Sequence, residues 1–303
     1  IFFWVARMIM AGREYRREVP FRNVYFTGIV RDKQGRKMSK SLGNSPEPLE
    51  LIGKFGADAV RMGMLLCSPA GNDLLYDEAL IEQGRNFCNK IWNAMRLVKG
   101  WEVDDSLPQP ASSAISVRWF ESAFNGALQN FTALYQDYRL SEALMALYKL
   151  VWDDFCSWYL ELVKPAYQQP VDRTTMDATI RFFNNLLQEL HPFLPFITEE
   201  IWHLIEERGE HESIMVTRIP DPGPFDEEIL RRFEYAEEVI IALRNLRKEK
   251  NIPAKDQIRL MIRKNLNEQP DTTFDEVVMK LCGINELTYE DEKVADAVAV
   301  IVR

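Results

Sequence analysis

The sequence predicts a mainly α protein with an α/β piece at its front and a small α+β unit at its end. Three observations carry that prediction. Between residues 76 and 250, apolar side chains recur every three or four positions, the period of helices with one buried face. A run rich in Val, Tyr, Phe, Thr and Ile at residues 24–30 reads as a strand and opens onto a basic, glycine-flanked loop. Prolines at 108, 110, 220, 222 and 224, and the alternation Ile258-Arg259-Leu260-Met261-Ile262, mark where helices give way to other structure.

In chain order, residues 1–12 read as the end of a buried helix and residues 13–23 as a polar basic turn around Pro20. Residues 24–30 read as a strand with Gly28 as its only breaker. Ser45-Pro46-Glu47-Pro48-Leu49-Glu50 reads as a helix start, because proline is tolerated in a first turn and acids favour the positive end. Leu49, Ile52 and Phe55 then share a face, and the next helix runs from Asp58 to Leu66. This front piece reads as the last part of a nucleotide-binding α/β domain. From Tyr76 a long amphipathic helix places Leu80, Phe87, Ile91 and Ala94 on one side. Residues 102–113 read as a linker. Helices are expected over 116–137, over 141–163 and over 173–207, the last bent near His191-Pro192 and Pro195. In the 141–163 helix, Leu144, Leu147, Val151, Phe155, Trp158 and Leu162 form one stripe. Such helices with short connections predict a bundle. Ser213 to Ile219 reads as a short extended run. A helix over 226–250 turns Ile229, Phe233, Ala236, Ile240 and Leu243 inward. A strand at 258–262, a helix at 272–282 and strands at 284–289 and 297–302 complete the expectation. The division is 1–75, 76–219 and 220–303.

The 303 residues suffice for two or three domains. No apolar run has the length of a membrane span, and Arg7 interrupts the first one. The net charge of −9 argues against binding polyanions over the whole surface. Residues 1–63 nevertheless carry 12 Lys and Arg against 6 Asp and Glu, and the remainder 25 against 40. A basic front on an acidic body suits contact with polyanions at defined patches. Cys67, Cys88, Cys156 and Cys282 form no C-x-x-C pair, so free thiols are expected. His191, His203 and His211 lack metal-ligand spacing, so no metal site is expected. The opening Ile1, inside a helical pattern, points to a piece of a longer protein, with apolar surface over residues 1–10 free to self-associate.

The most informative stretch is Lys37-Met38-Ser39-Lys40-Ser41, preceded by Asp32-Lys33-Gln34-Gly35-Arg36 and followed by Leu42-Gly43-Asn44. Ammonium groups and hydroxyls are suited to a triphosphate, whose oxygens gain charge as pyrophosphate leaves. By composition alone the stretch reads first as a solvated charge run on a hairpin tip. Its letters, however, are the KMSKS signature, and the chain resembles the class I aminoacyl-tRNA synthetases. Thr27 to Asp32 and Gly56 to Arg61 resemble the branch that handles valine, isoleucine and leucine. Phe3 to Met8, Arg85 to Ala94 and Trp158 to Glu161 resemble its valine members.

That resemblance implies a Rossmann-type catalytic remnant with the signature loop, then an anticodon-binding helical bundle, then the α+β unit. It implies a ligase joining valine to tRNA(Val) with ATP, and Mg in the whole enzyme. Lys40, then Lys37, would hold and stabilise the phosphates, while Ser39 and Ser41 shape the loop or donate hydrogen bonds to ATP. Asn44 either caps the next helix or meets a ligand. In the bundle, Arg85, Asn86, Phe87, Asn89, Lys90 and Trp92 would contact tRNA by stacking and edge hydrogen bonds. The competing reading makes Phe87 and Trp92 core and Arg85 a surface charge. Arg244, Arg247, Lys248 and Lys250 form a second basic cluster, open to phosphate contact or to a helix dipole. Trp152, Trp158 and Tyr159 read as packing. The family's paired-histidine motif is absent before His191, as is its editing insertion, so this chain by itself is expected neither to activate an amino acid nor to edit. The resemblance further implies a cytoplasmic location and a monomeric whole enzyme. The alternatives are an isoleucyl or leucyl enzyme, or a free-standing tRNA-binding module.

Overall fold

The computed structural model describes residues 2–68, 71–253, 255–263, 270–292, 294 and 297–302. Among them helices dominate, as expected. At the front, α1 (Phe2–Ala11) runs on through a wide turn at Gly12–Arg16, where only a basic turn was expected. Nor is it a buried helix: Phe2, Phe3 and Trp4 face solvent. The strand expected over 24–30 shrinks to β1 (Val30–Arg31), paired in parallel with β2 (Leu74–Leu75). Upstream, only the Phe26 and Ile29 carbonyls accept bonds from the opposing segment, at Gly71 and Leu74. Strand propensity is a preference for a half-buried pleated surface. Val24, Tyr25 and Phe26 are instead exposed.

Helix α2 (Pro48–Phe55) begins on Pro48, as expected, but of its predicted apolar face only Phe55 is buried, while Leu49 and Ile52 point outward. Helix α3 (Ala57–Leu66) crosses α4 (Glu78–Lys99), whose N-terminus is capped by Asp77. The crossing is very close. A Cβ added at Gly63 would lie 2.7 Å from the Ile81 backbone, and one at Gly84 would lie 2.7 Å from the Ala59 carbonyl oxygen. Glycine at both positions lets the two backbones touch.

The expected linker at 102–113 is shorter. It holds β3 (Val103–Asp104), and α5 (Ala111–Gln136) starts five residues earlier than predicted. Helix α6 (Leu140–Lys149) continues through a wide-wound stretch, Leu150–Tyr159, into α7 (Leu160–Val163). The predicted 141–163 helix is therefore one rod, with Leu144, Leu147, Val151, Phe155 and Leu162 buried as expected. Ser157 Oγ donates to the Trp152 carbonyl five residues back at 2.8 Å, the spacing of the wider winding. Strand β4 (Val171–Asp172) pairs with β3 and leads into α8 (Arg173–Leu190), capped by Asp172. Helix α9 (Pro195–Ile205) follows a break at residues 191–194, where Pro192 cannot continue a helix and Pro195 starts one. The rings of Phe155, Tyr159 and Phe182 surround the fully buried Phe120 with centroids 5.4, 4.8 and 4.9 Å away.

Residues 213–219 are not extended but hold a 3₁₀ turn at Ile214–Val216. Helix α10 (Glu227–Glu249), capped by Asp226, buries all five predicted inward residues. Strand β5 (Ile258–Arg263), helix α11 (Asp275–Cys282) and strand β6 (Ile284–Glu290) follow, with β5 and β6 parallel. The strand expected at 297–302 does not form, and Val298 and Ile301 are exposed. Lys280 fastens α11 to the end of α7 by donating to the Leu162 and Lys164 carbonyls at 2.6 and 3.0 Å. Burial pushes its ammonium pKa down.

A polar joint ties the front to the bundle. The buried Asp58 carboxylate accepts from the Phe196 and Ile197 amides at 3.3 and 2.7 Å, capping α9 from α3. Arg61 donates to the Phe193 and Pro192 carbonyls, both at 3.1 Å. One continuous apolar core runs from Met62 to Ile284, with a smaller cluster of Phe55, Ala59 and Ile81 beside it. The four cysteines are free thiols, and burial pushes Cys88 and Cys156 up to about 12. Among the described residues, no helix is long and apolar enough to cross a membrane.

Candidate functional site

The basic loop after β1 is shaped by its own side chains. Asp32 accepts from the Gln34 and Arg36 amides at 3.0 and 2.9 Å and from the Arg36 guanidinium at 2.8 Å. It also accepts from Asn44 Nδ2 at 2.9 Å. The Asn44 and Arg36 bonds hold the Asp32 carboxyl well below the usual carboxylate range. The other end of the Asn44 amide accepts from the Ser39 backbone N–H at 2.9 Å. Ser39 Oγ in turn accepts from the Leu42 N–H at 3.2 Å and sits 3.1 Å from Ser41 Oγ. It thereby caps a 3₁₀ turn at Lys40–Leu42, which Gly43 ends in the left-handed region at φ 64°. Asn44 thus does not cap the next helix, whose N-cap is Glu47. It is the bridge that closes the loop, and its signal in the sequence was the pairing of Asp32 and Asn44 around the basic letters.

The cations of this region divide into two sets. Arg31 pairs with Asp73, Lys33 with Asp77 at 2.9 Å, and Arg36 with Asp32 at 2.7 Å. Lys37 and Lys40 are exposed and have no ion-pair or hydrogen-bond partner for their ammonium groups among the described residues. Neutralised neighbours leave two unpaired ammoniums on one closed loop, the kind of group suited to phosphate oxygens. Replacing Asn44 by alanine removes both ends of the bridge. Trypsin cleavage after Lys37 and Lys40 in this chain should then accelerate about tenfold, from the local opening that three lost hydrogen bonds allow, the third a 3.4 Å bond from Asn44 Nδ2 to the Lys37 carbonyl. An unchanged cleavage rate would show that the bridge does not hold the loop.

Helix α4 distributes the other predicted residues unevenly. Phe87 is fully buried, stacked 5.0 Å from Tyr148 and 6.4 Å from Trp152, so it is core and not a stacking platform for a base. Trp92 is half-buried against the same core. Arg85 pairs with Glu82 at 3.0 Å and lies over the Phe55 ring at 5.4 Å. Lys90 lies over the Trp152 ring at 5.2 Å and donates to Ser157 Oγ at 3.5 Å. Asn86 and Asn89 face solvent. The second basic cluster divides: Arg244, Lys248 and Lys250 are exposed, and Arg247 is not. Arg247 is buried on backbone carbonyls, and Arg244 lies 5.7 Å from the Trp158 ring centroid. Trp152, Trp158 and Tyr159 pack in the core as expected.

The signature loop and the helical bundle each match a family model. Residues 1–77 match the model described as tRNA synthetases class I (I, L, M and V). Residues 117–262 match the one described as the anticodon-binding domain of tRNA ligase. The chain belongs to the class I tRNA synthetases. It is 56% identical to a valine–tRNA ligase of Parabacteroides distasonis over all of this chain and 34% of the relative. It is 57% identical to that of Phocaeicola vulgatus over 97% of this chain and 33% of the relative. It therefore spans about a third of the length of the curated relatives that it matches. Among solved structures, it is similar in fold to the agnB2 LeuRS of Agrobacterium radiobacter K84, solved as a ternary complex with tRNA and LeuAMS. That match has a TM-score of 0.52 at 20% identity and covers 75% of this chain and 27% of that one.

Proposed function

We propose that this chain supplies two parts of a valine–tRNA ligase: the loop that grips the phosphates of ATP, and a helical bundle that binds tRNA(Val). The whole reaction converts ATP, L-valine and tRNA(Val) to valyl-tRNA(Val), AMP and pyrophosphate. The observation that carries the proposal is the pair of unpaired lysines on a loop whose other cations are neutralised. Adenylate formation places negative charge on a departing pyrophosphate, and positive groups already in place stabilise that charge without rearranging. Lys40 takes the main share and Lys37 the second. Ser39 and Ser41 keep the turn that presents Lys40, and Ser41 is exposed to offer its hydroxyl to a phosphate oxygen. Mg is expected to accompany ATP. Among the described residues no group of three or more His, Cys, Asp or Glu is placed to hold a metal.

The similarity to valine–tRNA ligases over the whole chain favours valine over isoleucine or leucine. The proposed setting is the cytoplasm, with the whole enzyme a monomer. In the whole ligase, Lys40→Ala should lower the rate of ATP–pyrophosphate exchange about a hundredfold, the usual scale for removing one charge-stabilising donor. It should leave tRNA affinity unchanged. Equal exchange rates for parent and variant would remove the loop from the reaction.

A further inference from the structure

Asp32 and Asn44 stand at the two ends of the signature loop and meet inside it. The Asp32 side chain is only 13% exposed, in a loop whose Lys33, Arg36, Lys37 and Lys40 all face solvent. Its Oδ1 takes the Gln34 and Arg36 amides, and its Oδ2 takes the Arg36 guanidinium and Asn44 Nδ2. Asn44 is half-buried, and both ends of its amide are used. Both side chains are thus committed inside the loop, and an ionised carboxylate repels the phosphates of a nucleotide. What the pair can do is fix the backbone that carries Lys40.

The links run in one chemical sense. The Asp32 carboxylate can only accept, and the Ser39 backbone N–H can only donate. A bridge between them must donate at one end and accept at the other, which an amide does and a carboxylate does not. Asn44 does so at 2.9 Å on each side. Ser39 immediately precedes Lys40 and caps the 3₁₀ turn that Lys40 opens. Gly43, in the left-handed region, ends that turn and brings the chain round to Asn44. Lys40 therefore sits in a ring of backbone and side-chain bonds that Asn44 closes. A lysine stem is flexible, so a fixed backbone is what limits where its ammonium can go. Misplacing a charge-stabilising group by about 1 Å can cost about a hundredfold in rate.

We propose that Asp32 and Asn44 are positioning residues for adenylate formation: they act through Lys40, holding its ammonium where charge develops on the departing pyrophosphate. The proposal rests on the reading of Lys40 given above. It gives the loop's one carboxylate and its one amide a kinetic role, although neither touches the nucleotide.

The test is ATP–pyrophosphate exchange by the whole ligase, comparing the parent with Lys40→Ala, Asn44→Ala, Asn44→Asp and two double variants. Asn44→Ala should lower kcat about tenfold and change the KM for ATP by less than about threefold, because the lysine is misplaced and not lost. Asn44→Asp sets one carboxylate against another and should lose about a hundredfold. Joined to Asp32→Asn, it puts one amide and one carboxylate back in exchanged places, and exchange should recover to within about threefold of the parent. Lys40→Ala with Asn44→Ala should be no slower than Lys40→Ala alone, since residues that act as a unit are not additive. Melting and tRNA affinity should match the parent in every variant, which separates a misplaced lysine from a lost fold. If Lys40→Ala exchanges like the parent, the phosphate-gripping reading falls and this one with it. If Lys40→Ala is slow while both Asn44 variants exchange like the parent, the positioning role alone is overturned. It is equally overturned if the Asn44→Ala loss persists in full on top of Lys40→Ala, or if the exchanged pair stays slow.

Discussion

Glu189→Gln leaves the stability of the chain nearly unchanged at pH 4 and raises it by on the order of 4 kcal/mol at pH 8. Glu189 sits on α8 with 1% of its surface exposed, and neither carboxylate oxygen has a hydrogen-bond partner among the described residues. Burial pushes its carboxyl up to about 8 from an ordinary 4.5, and no opposing cation offsets the shift. The sign follows from the two pKa values. Below pH 4.5 the acid is protonated whether the chain is folded or not, and it has no effect on stability. Between 4.5 and 8 the unfolded chain releases the proton while the folded chain keeps it, so stability falls steadily as pH rises. Above about 8 the loss is complete. Glutamine has the same shape and no charge to bury, so its advantage opens across that same window. Urea midpoints of parent and variant at pH 4, 6 and 8 measure it, with equal denaturant slopes showing that the unfolded state is unaltered. Two parallel curves would mean that the carboxyl reaches water or a cation in solution.

Arg247→Met should cost about 3 to 4 kcal/mol and loosen the last third of the chain first. The Arg247 guanidinium lies at the end of α10 and donates to the carbonyls of Pro253, Asp256 and Cys282 at 2.9, 2.8 and 2.7 Å. The Gly283 carbonyl is a further acceptor at 3.2 Å. One planar fork therefore joins the end of α10, the approach to β5 and the end of α11. Its positive charge meets the negative end of the α11 dipole, and among the described residues no carboxylate takes part in the contact. Methionine fills a similar volume but removes a donor from every one of these carbonyls, and among the described residues only those of Pro253 and Gly283 keep a backbone partner, the Asp256 and Ile258 amides, both at 3.1 Å. Hydrogen exchange should quicken in β5 and β6 while amides of α5 and α8 keep their protection. Lysine at the same place retains the charge but not the fork, and should recover only part of the loss. A variant that melts with the parent would assign the joint to apolar packing alone.

The helices were legible because burial on one face imposes a period. Ile229, Phe233, Ala236, Ile240 and Leu243 announce α10, and the structure buries all five. Strands were harder, because a strand exists through its neighbour. Val24 to Ile29 has the composition of a strand but only a short opposing segment, and 297–302 has no partner at all among the described residues. Composition also misplaced charge. Arg247 reads as a surface cation and is buried, whereas Lys37 and Lys40 are distinguished from Lys33 and Arg36 only by which acids fold back onto the latter pair. Phe87 was open to two readings, tRNA contact or core, and burial against Tyr148 and Trp152 decides for core.

The glycine crossing of α3 and α4 sets where this machine has play and where it has none. With backbone on backbone at Gly63 and Gly84, neither helix can roll or slide on the other without a collision. Asp58 and Arg61 pin the same helix to the start of α9. The mounting behind the signature loop is thus a bolted bracket, and any movement of Lys37 and Lys40 relative to it comes from residues 32–44, ahead of Pro46 and Pro48.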